Sequence, residues 1–210
     1  TASQKISYSV LISTIIILPC AAGLIVLAQP FLNLLYPNAS QVAPLLQWAA
    51  VALIFTALDQ TICGSLQGLG RVKVPATGLL LGAIVKFILN MILIPIPEIN
   101  IYGAVISSVA CHLVAFLYCF HALRKAIPLQ LKRTKYFTKP ILCTLFMSAV
   151  TSGSYRLVML ICHSNLIAVA ISVGLSVVAY FAAVFGLHVL NKEEVLELPM
   201  GGRIARLLKM

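Results

Sequence analysis

The chain has 210 residues, of which 61% are hydrophobic and 10% charged, with a mean hydropathy of +1.04 and a formal net charge of +10. Soluble domains carry about 25% charged residues, so this composition excludes a water-soluble globular fold and calls for lipid as the solvent of most of the chain. The net charge would suit nucleic acid, but the basic residues sit in the gaps between apolar runs and build no basic face with interleaved aromatics, so no nucleic-acid partner is expected.

From Thr1 onward no short apolar stretch ends in a small-residue cleavage site, so no signal peptide is expected. The missing initiator methionine reads as a piece of a longer protein. A hydrocarbon core about 30 Å thick needs roughly 20 apolar residues of helix. Six stretches qualify, at 8–28, 43–68, 76–96, 101–123, 138–160 and 166–190. The expected fold class is therefore all-α, a polytopic membrane helix bundle of about six transmembrane helices.

The breaks carry turn chemistry. Gln29-Pro30 and Tyr36-Pro37-Asn38 follow the first span, Gly70 to Pro75 the second, and Pro95-Ile96-Pro97 the third. Asn38-Ala39-Ser40 matches a glycosylation sequon, a triplet common by chance. Lys139-Pro140 opens the fifth span, where a proline in the first turn loses no helical hydrogen bond. Of the 15 Lys and Arg residues, 13 fall on one side of this alternation: Lys5, the Arg71/Lys73 turn, the cluster from Arg124 to Lys139, and the tail from Lys192. Arg156 alone lies on the other side and Lys86 lies within the third span. The bias predicts that both ends are cytoplasmic. In the tail, 191–210, Ile204, Leu207 and Leu208 share a helical face among basic residues; a short helix on the anionic leaflet and a disordered basic end are both open.

The six cysteines show no CxxC-type spacing, and five of them lie inside apolar runs, where a thiol behaves as a small hydrophobe. Neither a metal nor a disulfide is expected from them. No Ser/His/Asp set, paired carboxylates, HExxH or phosphate-binding glycine loop occurs. No catalytic residue or cofactor is therefore expected, and the chain does not read as an enzyme.

Inside the membrane, the second span carries Thr56, Gln60, Gly64 and Gly68 at every fourth residue, and the third carries Gly78, Gly82, Lys86 and Asn90 in the same way. Counted from the short turn between them, Gln60 and Lys86 match in depth, roughly 15 Å in at 1.5 Å per residue. Gly-xxx-Gly stripes let helices approach closely, so the two stripes are expected to face each other as a tight hairpin. Lys86 needs more than packing, because a charge near the bilayer centre costs several kcal/mol unless it meets water or a partner. It is expected to line an aqueous or substrate-facing cavity. Asp59 lies at a similar depth, but about 180° around its helix from Gly68, so it should point away from the third span unless both line a shared cavity. His112 follows Ala104 and Ser108 on a small-residue stripe of the fourth span, where a hydrogen-bonded packing role competes with a proton relay.

The run Leu66-Gln67-Gly68-Leu69-Gly70-Arg71-Val72-Lys73-Val74-Pro75, with Gly82-Ala83-Ile84-Val85-Lys86-Phe87-Ile88-Leu89-Asn90, resembles the polysaccharide flippase and stage V sporulation protein B family. That family belongs to the superfamily of multidrug and toxin extrusion transporters and the lipid II flippase. Gln29 to Tyr36, Ile101 to Ala104 and Glu193 to Gly201 agree with it. The resemblance implies two six-helix lobes plus an added hairpin. Residues 1–130 would then be four helices of the C-terminal lobe, 131–190 the hairpin, and 191–210 a basic cytoplasmic tail, with the N-terminal lobe missing. It also implies alternating access that carries a polyprenyl-diphosphate-linked saccharide or peptidoglycan precursor across the bacterial cytoplasmic membrane, among membrane lipids. Lys86 would help hold the diphosphate, with Asn90, Gln60, Asp59 and His112 as candidate substrate-binding wall residues. The competing readings are a cation-coupled drug exporter, with Asp59 as the cation or proton site, and a non-transporting scaffold in envelope or spore assembly.

Overall fold

Prolines and a left-handed glycine set the helix ends in the computed structural model, which describes residues 2–36, 41–127 and 134–187. Among these, α1 (Ala2–Val26), α2 (Ala28–Leu35), α3 (Ala43–Gly68), α4 (Lys73–Leu93), α5 (Ile101–Ala126), α6 (Lys139–Cys162) and α7 (Asn165–Gly186) follow in order, and a π-helical turn, Thr134–Thr138, leads into α6. Six of the seven, all but α2, are long and apolar enough to cross a membrane. Pro44 and Pro140 sit in the first turns of α3 and α6, where their missing N–H is needed by no helical bond. At the end of α3, Gly70 adopts φ 75°, Arg71 N–H donates to Leu66 O and Gly70 N–H to Gln67 O, each at 2.9 Å. This paired closure satisfies two orphan carbonyls and needs a residue without Cβ at the left-handed position.

The all-α bundle of six spans stands as expected. One connection differs. The stretch after the first span, expected as a loop from Gln29, holds the short helix α2. Helical bonds run nearly unbroken across the joint, Leu27 N–H to Gly23 O and Phe31 N–H to Leu27 O at 2.9 Å each. Pro30 is only the third residue of α2, so it starts this helix instead of breaking it. The sequon at 38–40, part of the basic 124–139 cluster and the whole 191–210 tail lie outside the described residues.

The spans pack as a row in the order α4, α5, α3, α1, α6, α7. An inner member of the row, α1, serves two clusters with adjacent residues. Its Val10 packs with Ile62 and Leu66 of α3 and Cys119 and Leu123 of α5, while Leu11 and Ile15 pack with Tyr136, Cys143, Met147, Tyr180 and Val184. Short polar bonds stitch neighbours together: Ser13 with Thr61 at 2.6 Å, Thr151 with Ser176 at 2.6 Å, and the Tyr180 hydroxyl donating to Ile15 O at 2.6 Å.

The glycine stripes do not face each other. α3 and α4 touch only marginally, and α4 lies instead along α5. A Cβ on Gly78 would stand 2.8 Å from Cys119 Sγ, and one on Gly82 would stand 2.7 Å from Cys111 O. Gly64 and Gly68 have nothing within 4 Å of that position and lie exposed. The physical reason is on α5, where Gly103, Ser107, Cys111, Ala115, Cys119 and Leu123 are all buried at every fourth residue. That small-residue stripe, one position away from Ala104, Ser108 and His112, is the complement that the α4 glycines find.

Two outcomes follow from this packing. Gly82→Ala should lower the stability of the full-length protein by about 1 kcal/mol or more, since overpacking costs outweigh alanine's helix propensity gain, whereas Gly64→Ala should be neutral or stabilising. Melting in neutral detergent compares them, and a larger loss at Gly64 would restore the α3–α4 pairing. In a variant whose sole cysteines are Cys63 and Cys119, which lie 3.7 Å apart through sulfur, mild oxidation should join α3 to α5. Cleavage at a protease site placed in 94–100 should then leave one band on a non-reducing gel.

Candidate functional site

α4 and α5 hold the polar residues that the sequence singles out in the third span. Asn90 accepts a hydrogen bond at Oδ1 from Ser107 Oγ at 2.5 Å, which turns the amide toward α5 and leaves its N–H group unused by that bond. Lys86, one turn earlier on the same face, is half-buried, and Cys111 lies within reach of its charge. Lys86 is the fourteenth residue of α4 and has seven residues of helix beyond it. At 1.5 Å per residue its Cα lies about 10 Å from that end. It is therefore deep, half-sheltered and cationic.

Asp59 is placed differently. It is 9% exposed and turned into the seam between α3 and α5. The Cys63 thiol donates to Asp59 Oδ1 at 3.5 Å, and its sulfur lies 3.7 Å from Cys119 Sγ. Cys63 and Cys119 sit against this carboxylate with His112 near it, and Lys86 belongs to α4, which packs on α5 and only marginally touches α3. Asp59 thus stands apart from Lys86, although the cause is α5 between them and not a facing pair of glycine stripes. His112 is half-buried on α5 and adds its imidazole to this second group. The ligand atoms of Asp59, Cys63 and Cys119 all lie within 4.8 Å of one another, a spacing that could hold a soft divalent cation. Their mutual hydrogen bonds also satisfy the carboxylate without one.

Gln60 joins neither group. It is exposed on α3, in line with Gly64 and Gly68 on the face that no described helix covers. Five candidate residues therefore divide three ways: Lys86 and Asn90 against α5, Asp59 and His112 in the α3–α5 seam, and Gln60 on the open face. Two participants escaped the sequence reading. Ser107 fixes Asn90, and Cys119 completes the Asp59 group; their signal was the every-fourth-residue stripe on α5, which small polar residues share with ordinary packing.

With that geometry in view, comparison with known proteins is informative. The lipid II flippase MurJ family profile matches residues 1–160. An uncharacterized membrane protein of Bacillus subtilis (strain 168), YabM, is 27% identical over 98% of this chain and 39% of its own length. The chain thus spans about two fifths of the curated relative it matches. No solved structure matches it. The family lies within the superfamily that the Leu66–Pro75 and Gly82–Asn90 runs resemble. With most of its length matched, this membrane-spanning chain belongs to the lipid II flippase MurJ family.

Proposed function

We propose that the chain is the C-terminal part of a flippase that moves a lipid-linked saccharide or peptidoglycan precursor across the bacterial cytoplasmic membrane by alternating access. The family match supports the class of substrate, and Lys86 is the observation that carries the mechanism. An ammonium deep in a span is costly without an anionic or aqueous partner, and no acidic side chain among the described residues answers it: Asp59 is engaged with Cys63 and Glu98 lies in the connection after α4. A diphosphate supplies dense negative charge, and its attraction to an ammonium strengthens where water is scarce. Asn90, with its N–H group directed by Ser107, sits one turn away to hydrogen-bond the same headgroup.

In this reading α1, α3, α4 and α5 belong to the C-terminal lobe, and α6 with α7 is the added hairpin. The remainder of the longer protein supplies the opposite cavity wall, and Gln60 lies on the α3 face open toward it. Both ends of the chain are cytoplasmic, as the basic bias requires. Asp59, closed into the α3–α5 seam with Cys63 and Cys119, is better suited to packing than to an open cation path, which disfavours the drug-exporter alternative. The chain carries out no chemistry on its cargo.

Two experiments bear on this. In the full-length protein, Lys86→Ala should abolish complementation of a flippase-deficient strain while protein level and membrane insertion stay normal. Lys86→Arg should keep part of the activity, since charge survives with altered geometry; full activity of Lys86→Ala would remove the headgroup role. For topology, a single cysteine at Glu98 should react with an impermeant maleimide in intact cells, and one at Val72 only after permeabilisation. The reverse pattern would invert the orientation.

A further inference from the structure

Three side chains that can ligate a metal converge in the α3–α5 seam. Asp59 and Cys63 stand one turn apart on α3 and Cys119 comes from α5, and their ligand atoms all lie within 4.8 Å of one another. Cys63 Sγ is 3.5 Å from Asp59 Oδ1 and 3.7 Å from Cys119 Sγ. A tetrahedral ion with bonds of about 2.3 Å to sulfur and about 2.1 Å to a carboxylate oxygen sets S···S edges of about 3.8 Å and S···O edges of about 3.6 Å. Both observed separations agree with those edges. The contacts that hold the trio together without an ion therefore leave its donors already spaced for one.

Donor type and charge narrow the ion. Mg²⁺ and Ca²⁺ are bound through shells of oxygen ligands, whereas two sulfurs and one oxygen suit Zn²⁺ and softer cations. Asp59 and Cys119 are both buried within apolar spans, where a net charge added by the ion would be costly. No net charge is added here. An ionised carboxylate with two thiols carries a single negative charge. A divalent cation on the same carboxylate and two thiolates carries a single negative charge as well, because the two thiol protons leave as the ion enters. Cys63 is half-buried beside exposed Gly64, which gives the ion a way in from the open face of α3.

We propose that Asp59, Cys63 and Cys119 form a binding site for a soft divalent cation of the Zn²⁺ class, held by one carboxylate oxygen and two thiolates, with the fourth position left to water. The ion clamps α3 to α5. Because Cys119 also packs against Gly78, the clamp braces the surface on which α4 lies. His112, two turns from Cys119 along α5, is near the carboxylate but outside the trio. Spacing along the chain hides the site, since Cys63 and Cys119 are 56 residues apart and meet only through the packing of their helices. The ion stays in the seam and takes no part in moving a cargo, so the site stands or falls apart from the transport reading.

The test titrates the full-length protein, in neutral detergent with a phosphine reductant, with Co²⁺ as a spectroscopic probe and with Zn²⁺. Co²⁺ should give thiolate-to-metal charge-transfer absorption and the intense visible bands of a tetrahedral site, both removed by added Zn²⁺ and untouched by excess Mg²⁺. Zn²⁺ at saturation should raise the melting midpoint by about 5 °C. Cys63→Ala and Cys119→Ala should each remove the bands and most of the shift, and Asp59→Asn should weaken Co²⁺ binding about tenfold or more. Each shift is read against the variant's own metal-free midpoint, so a substitution that lowers that midpoint still reports. Cys20→Ala and Cys162→Ala, at exposed thiols outside the seam, should change neither readout. An equal loss in those two variants would make the binding adventitious capture by surface thiols and overturn the site. Bands that survive in Cys63→Ala or Cys119→Ala, or a parent protein that shows none, would overturn it as well.

Discussion

In a hydrocarbon solvent the hydrophobic effect cannot drive one helix against another, so this bundle depends on close approach of small residues and on hydrogen bonds between spans. The α4–α5 pair shows the first device. Gly78 and Gly82 leave no room for a Cβ against Cys119 and Cys111, and two backbones lie side by side where larger residues would hold them apart. The α1–α3, α6–α7 and α7–α1 contacts show the second, each closed by a hydroxyl within 2.6 Å of its acceptor or partner. Most of the other serine and threonine hydroxyls bond back to a carbonyl three or four residues earlier in their own helix, as Thr14, Thr56 and Thr144 do. Among the described residues no buried side-chain polar atom is left without a partner, which is what a medium without water demands.

How much of this was legible in the sequence depends on the kind of signal. Span length and apolarity are one-dimensional, and the second span was read at 43–68, where α3 stands. Proline position was legible at Pro140 and misleading at Pro30, because the same residue that ends a helix also starts one, and only the register of the following apolar residues distinguishes the two. Glycine periodicity identified α4 as a helix that a neighbour approaches closely but not which neighbour. The chain-adjacent α3 was the natural choice. α5 won because its own small residues recur at the same spacing, a pattern in which two cysteines and a serine pass for generic polar or apolar content.

The site residues divide along the same line. Depth can be counted along a helix, and the deep placement of Lys86 follows from its index in α4. Azimuth relative to other helices cannot be counted, and so the five candidates divided among three surroundings, Asp59 and His112 in one, Gln60 in another, Lys86 and Asn90 in a third. Asp59 illustrates the cost of assuming a partner. The inference that it would not pair with Lys86 rested on facing glycine stripes that do not face. The separation holds because the α3–α5 seam captures the carboxylate with Cys63 and Cys119. Thiols are weak donors, but they are small enough to fit a seam where a lysine would not.

That capture leaves the bundle with an asymmetric distribution of charge. The buried carboxylate is answered by neighbours on its own side of the row, whereas the deep lysine of α4 is answered by no acid among the described residues. A protein that needed Lys86 only for packing could satisfy it most cheaply with an acidic residue one turn away on α5, and the residue near it there is Cys111, with Ser107 bonded to the neighbouring Asn90. Neutral, small side chains on the opposing helix leave both the charge and the space around it uncommitted. An uncommitted cation is stable in this solvent only if water or an anion reaches it at some stage. Under the function proposed above, a cargo that carries the anion would meet that requirement, which is why Lys86 is the residue on which that proposal rests.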